Sequence, residues 1–303
     1  MMRSWIYNGT TGLYKCIDWI ESVFANSRSE DRQLKIFPVM QTDQGKHHTD
    51  TAIRLKIGVA TFDDVKAALR AGIRDITKRP VLSLFFGLVY ALLGGILISG
   101  FLVFHQAWMV IAVGVGFPLV APFLAAGLYE MSRRLKGREP FTASDIFLVI
   151  FKKQRGEFGW MGLAVLFVFW MWAYQVRLLL ALFLQNQATL SFENFVSVLF
   201  TTPEGATFLL IGTLIGALLA TLLFSITVIA MPLLMDKDID IVTAMVTSVK
   251  TVRKSPVVML GWGAIVGALT LIAIVPMFLG VIFIFPILGH TTWHLYERLV
   301  SEA

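Results

Sequence analysis

The chain has 303 residues, 56% hydrophobic and 15% charged, with a net charge of +6 and a mean hydropathy of +0.73. Soluble domains carry about 25% charged residues, so this chain has too little polar surface to cover itself in water. Its single cysteine, Cys16, excludes an intramolecular disulfide and any metal site built from cysteines.

Residues 1–56 read as an amino-terminal tail. TGLYKCIDWIESVFA puts Leu13, Ile17, Ile20 and Phe24 on one helical face, and NSRSEDRQ to QTDQGKHHTD has the composition of a flexible linker. The tail lacks the apolar core of a signal peptide. It reads as a small docking helix or as an extension from an upstream start codon.

Residues 57–303 read as an all-α membrane domain. Three windows, 80–132, 178–236 and 255–297, contain no Lys or Arg. Each exceeds the roughly 20 residues of one membrane span and holds two or most of two. Six spans result: about Val81–Phe104, Trp108–Met131, Phe158–Ala181, Phe208–Met235, Val257–Ile274 and Phe278–Leu295. The last two need a tight turn around Pro276. Lys and Arg gather before the first span, between the second and third, between the fourth and fifth, and after the sixth. The positive-inside rule then puts both termini in the cytoplasm of a bacterial inner-membrane, multi-pass protein.

The sequence repeats. With Pro80 set on Pro256, FDDVKAALRAGIRDITKRPVLSLFFG runs without a gap against DIDIVTAMVTSVKTVRKSPVVMLGWG, so that Asp64 meets Asp240, Ala68 meets Ala244 and Gly87 meets Gly263. A fainter copy starts at TASDIFLVIFKKQRGEFGW. The predicted architecture is three copies of a cytoplasmic amphipathic helix followed by a membrane hairpin, at about 61–134, 142–235 and 238–299. Thr61-x-x-Asp64 and Thr142-x-x-Asp145 supply capping-box starts, and Asp236, Asp238 and Asp240 supply acid in the third copy. MDKDID reads as this helix start; a calcium loop needs more oxygen ligands and a glycine turn. Ile241, Val242, Met245, Val246, Val249 and Val252 form an apolar stripe expected to pack on the hairpins or enter the membrane interface, with Thr247 on the opposite face.

Lys66, Arg70, Arg74 and Lys78 recur every four residues on one face of the first lead helix. Like charges at that spacing repel, and anionic lipid headgroups offset this at about 1 kcal/mol per basic residue; an acidic protein partner is the alternative. Arg177, in YQVRLLLALF, is the one Lys or Arg within the six spans. It reads either as a snorkelling or paired residue, with Glu193 or Glu204 as partner, or as a transport or ligand residue. His290 and His294 stand one turn apart in ILGHTTWHLYERL, a spacing that suits two ligands of one metal but equally a polar helix face. No third ligand accompanies them. Pro118, Pro122, Pro232 and Pro286 kink the even-numbered spans. No Gly-rich phosphate loop, nucleophile elbow or paired acids occur in a plausible pocket, so neither an enzyme nor a bound cofactor is expected, and no nucleic-acid partner.

DDVKAALRAGIRD, LFFGLVYALLGG, PFLAAGLYEMSRRL, MPLLMDKDIDIVTAMVTSV and PILGHTTWHLYERL together resemble a family of predicted bacterial integral membrane proteins of unknown function. The likeness runs from about Ile57 to Val300. Some members carry the label cytochrome c oxidase subunit I. That chemistry needs about six histidines around two haems and a copper, and this chain has three membrane-associated ones, split between the two sides. The resemblance therefore implies no oxidase chemistry, though it leaves an accessory place beside a respiratory complex open. The leading expectation is an accessory, scaffold or lipid-interacting membrane component, alone, as a homo-oligomer or in a complex. The alternative is a small-solute or lipid transporter.

Overall fold

The computed structural model describes residues 55–104, 124–154, 156–184, 192–276 and 278–302. Strand β1 (Leu55–Ile57) leads into α1 (Phe62–Lys78) and α2 (Pro80–Phe104). Residues 124–137 form α3. There follow α4 (Ala143–Gln154), α5 (Glu157–Phe183), α6 (Phe192–Thr201), α7 (Pro203–Thr227), α8 (Ala230–Asp236), α9 (Ile241–Lys254), α10 (Pro256–Ile274), α11 (Val281–Leu299) and β2 (Val300–Glu302). The tail helix, Cys16, His47, His48, His105, Pro118, Pro122 and most of the second expected span lie outside the described residues.

Helix α1 begins where its sequence says it should. Thr61 Oγ1 accepts from the Asp64 amide and Asp64 Oδ2 accepts from the Thr61 amide, closing both halves of a capping box. Thr142 and Asp145 make the same exchange ahead of α4, and Asp240 accepts from the Thr243 amide to start α9. Hydrogen bonds from Thr243 hold the Asp240 carboxyl below the usual carboxylate range. The carboxyl-terminal ends of α1 and α9 also agree. Arg79 (φ −137°, ψ 61°) and Ser255 (φ −140°, ψ 64°) each leave the helix in front of a proline that opens the next one. At Pro80 the chain turns by 104° from α1 into α2.

Among the described residues three helices are long and apolar enough to cross a membrane: α5, the rod Pro203–Asp236 made of α7 and α8, and α10; the bent α1–α2 pair is a fourth if counted as one span. The chain is thus a multi-pass, helical integral membrane protein. Helix α11 carries His290, Thr291, Thr292, His294, Glu297 and Arg298 in its second half, a polar half that lowers its hydropathy below that of those three. Its connection to α10 is the expected tight turn. Phe278 takes a positive φ of 66°, and the Gly280 position leaves only 2.8 Å between a would-be Cβ and Ala273 Cα, so no side chain fits there.

Three features depart from the sequence reading. The 182–207 connection, expected as an outer loop, contains helix α6. The expectation of helices alone misses a short antiparallel sheet pairing Leu55 with Glu302 and Ile57 with Val300. The third is the face of α9. Its buried residues are Ala244, Thr247, Ser248, Thr251 and Val252. Thr247 is 6% exposed, whereas Val242 and Val246 are 64% and 43% exposed. Of the expected stripe, Val252 is buried and Ile241, Met245 and Val249 are half-buried, but Val242 and Val246 face outward, and Thr247, assigned to the opposite face, is interior.

The physical reason lies in α7–α8. Pro232 has no amide for the Val228 carbonyl, and its ring crowds that carbonyl, so the helix breaks at Val228–Ile229. Ser248 Oγ accepts from the Ile229 amide at 3.1 Å, which requires a small hydroxyl side chain of α9 to face the break. Close approach recurs where α1 packs on α11: a Cβ on Gly72 would lie 2.8 Å from the Thr291 amide nitrogen. A Cβ on Gly127 of α3 would lie 2.4 Å from the Phe86 ring and 3.1 Å from Ile150 Cδ1 of α4. Thus α1 packs against α11, α4 against α3, and α9 against the α7–α8 break. The core collects at this end of the molecule, around Phe86, Met131, Phe158, Leu233, Trp262 and Trp293.

Candidate functional site

A buried polar network joins four helices at the base of this core. Val65, Ala68, Gly72 and Asp75 form the inner face of α1, and the last of these carries a carboxylate into the interior, 2% exposed. Asp75 Oδ2 accepts from His294 Nε2 at 2.6 Å and from the Ser132 hydroxyl of α3 at 3.0 Å. Ser132 Oγ also lies 2.7 Å from His290 Nδ1, and His290 Nε2 lies 3.1 Å from Ser83 Oγ at the start of α2.

These distances assign the protons. The single Ser132 proton goes to the carboxylate, which has none to give. His290 Nδ1–H must then donate to Ser132, leaving Nε2 to accept from the Ser83 hydroxyl. Every member is satisfied, as buried polar groups require. Outward from Asp75, His294 Nδ1 lies 3.3 Å from Glu297, and Glu297 accepts from Lys136 Nζ at 3.0 Å. Two carboxylates therefore flank the His294 ring, one at each nitrogen. Lys78 Nζ stands 3.8 Å from Asp75 Oδ1. Burial pushes the Asp75 carboxyl up, but the His294 hydrogen bond and charge, with Ser132 and His290, bring it below the usual carboxylate range.

A second polar cluster lies beside the first. The buried Glu130 carboxylate accepts from Arg133 at 2.8 and 2.9 Å and from Arg134 at 2.6 Å. With Lys152, Asp236 and Lys237 these residues line an open cavity of about 780 Å³. Nearby, Lys237 pairs with Glu302 of β2 and the Tyr296 hydroxyl donates to Asp236 at 2.7 Å. The Ala60 amide donates to Ser255 Oγ at 2.8 Å. These contacts tie the carboxyl-terminal end of the described domain to the end of α8 and its amino-terminal end to the cap of α9.

The residues singled out in the sequence fall into three places. His290 and His294 enter the network, but not as a metal pair: both nitrogens of His290 face serines and His294 faces carboxylates. No group of three or more His, Cys, Asp or Glu side chains suited to a metal occurs among the described residues. Lys66, Arg70, Arg74 and Lys78 are all exposed along α1, and Lys66 approaches Asp63 only loosely, at 3.8 Å. Arg177 is exposed on α5, and no ion pair joins it to Glu204 among the described residues; the Glu193 side chain lies outside them.

Asp75 and its serines escaped the sequence reading. The available signal was a carboxylate continuing the 65–68–72 spacing of small and apolar side chains, where the aligned position in the third copy is Thr251. No curated protein and no solved structure matches the chain. Over residues 108–236 it matches the family described as "Predicted integral membrane protein (DUF2189)", the integral-membrane family of unknown function that its motifs resemble.

Proposed function

We propose that the protein is a six-span inner-membrane component with both termini in the cytoplasm. It acts without catalysis of its own, as a scaffold or accessory subunit that works through contacts with lipid and with membrane proteins. One observation carries the reading: the apolar windows of α5, Pro203–Asp236 and α10 are only 11%, 22% and 17% buried within the chain. Here the polar network ties α1, α2, α3 and α11 together, while α5, α7–α8 and α10 keep long apolar faces for lipid or a partner. The outward face of α5, with Trp160, Phe167, Trp170 and Tyr174, is the most aromatic of them.

The three-copy architecture is supported by the matching caps and proline exits of α1 and α9 and by the lead-helix packing. The exposed row Lys66, Arg70, Arg74 and Lys78 is the proposed seat of anionic headgroups at the cytoplasmic face. Transport of a small solute or lipid is the second reading, supported by the break that Pro232 makes between α7 and α8.

Tryptophan fluorescence tests the leading reading. In vesicles of chain-brominated phospholipid, Trp160, Trp170 and Trp172 should be quenched, and changing all three to Phe should remove most of the quenching. Protection of the same residues after purification as a complex would identify a protein-covered face. Quenching by aqueous iodide but not by brominated chains would refute the reading.

A further inference from the structure

A second, apolar cavity of about 340 Å³ lies between α2, α3, α10 and α11, with Tyr90, Tyr129, Thr270, Phe278, Phe285 and Thr292 in its wall. It falls at the small end of the roughly 300–1,000 Å³ typical of ligand pockets, room for one chain and not for a whole lipid. The wall has almost no hydrogen-bonding capacity to spare. The Thr270 and Thr292 hydroxyls each donate to the carbonyl four residues back, at 2.8 Å. The exception is Tyr129. Its side chain is 6% exposed, its ring stacks on Trp293 at 6.2 Å, and its hydroxyl has no hydrogen-bond partner among the described residues. The hydroxyl oxygen is not fully enclosed and stays free to donate to an acceptor oxygen that enters the cavity.

The surroundings point to where that molecule comes from. Leu271, Ile272, Val275 and Leu279, around the same end of α10 and its turn, are all strongly exposed, and α10 is one of the apolar membrane-length helices. Lipid-compatible side chains thus alternate in sequence with the wall residues Thr270, Ala273, Ile274 and Phe278. Phe278 forms part of the wall from a left-handed backbone that bulky residues rarely adopt. Its ring is seated over Gly94, where a Cβ would come within 2.3 Å of it. The turn holds this conformation with the aromatic ring as wall.

We propose that this cavity binds one fatty-acyl chain, taken sideways from the bilayer, with the acyl carbonyl oxygen accepting from the Tyr129 hydroxyl. The proposal rests on the lipid-contact reading above and adds a site and a ligand chemistry to it. Both a free fatty acid and one chain of a phospholipid carry the required group.

The test is photolabelling of the protein in nanodiscs with a diazirine fatty acid, a diazirine phosphatidylcholine and a diazirine alkane, followed by mapping of adducts. Saturable labelling on the wall between Thr270 and Phe285 is expected, and the first two probes tell the sources apart. Val266→Phe, which fills the cavity from α10, should abolish it, whereas Leu271→Phe on the outward face should not. Should Val266→Phe fail to fold, Ala125→Leu fills the cavity from α3. Tyr129→Phe should weaken the acyl probes about five-fold, the loss of one neutral hydrogen bond, and leave the alkane unchanged. Labelling confined to the outward faces of α5 and α7, unaltered by the filling variants, would overturn the cavity proposal and spare the lipid-contact reading. Labelling nowhere would overturn both.

Discussion

Asp75→Ala tests whether the buried network holds the helices together. The side chain accepts hydrogen bonds from His294 at 2.6 Å and from Ser132 at 3.0 Å while almost fully enclosed. Its removal strands the His294 ring beside Glu297 and forces Ser132 to re-aim its proton. Losing one partner of a buried, hydrogen-bonded charge pair costs about 3–5 kcal/mol. At roughly 2–4 °C per kcal/mol for a domain of this size, the melting temperature should fall by about 6–20 °C, read by intrinsic fluorescence in mild detergent. Asp75→Asn keeps an acceptor of the same shape and should lose less. Combining Asp75→Ala with His294→Ala should cost less than the sum, by about 0.5–3 kcal/mol, because neither stranded group then remains. An Asp75→Ala protein that melts with the wild type, or strictly additive losses in the double variant, would refute the network as a structural element.

Four further outcomes follow from the same geometry. Asp75 sits lower in the folded state than the roughly 3.9 of a free carboxyl, so the stability it contributes is present above that pH and lost as pH falls through the folded value; acid melting curves of wild type and Asp75→Asn should converge below about pH 4. Thr247→Asp should lower the melting temperature far more than Val246→Asp, since the first buries a charge beside the α7–α8 break and the second points outward; the reverse order would restore the valine stripe as the packed face. Gly72→Val should destabilise by about 1–3 kcal/mol or more, as overpacking does, because its Cβ meets the Thr291 backbone; expression and melting of this variant check the α1–α11 contact. Reporters fused after Gln106, Glu193 and Gly280 should read as periplasmic, and those after Lys136, Lys237 and Ala303 as cytoplasmic; a cytoplasmic signal at Glu193 would break the six-span topology.

What was legible in the sequence is what local and one-dimensional physics decides. Long apolar runs mark α5, α7 and α10 because a bilayer demands continuous apolar length. Thr61–Asp64 and Thr142–Asp145 mark helix starts because the cap closes within four residues. Pro80 and Pro256 mark sharp exits because a proline restricts the residue before it, and the Pro276 turn is forced by the short distance between α10 and α11.

What only the tertiary structure decided depends on partners far away in the chain. Strands of three residues such as β1 and β2 carry no signal of their own and exist by pairing across the domain. The inner face of α9 could not be read from hydrophobicity, because the backbone break at Ile229 calls for a serine there and not a valine. Asp75 and His294 are 219 positions apart, and each alone reads as an ordinary polar residue near a helix end. Burial, which removes water as the competing partner, makes the two depend on each other, and burial is a property of the packed helices.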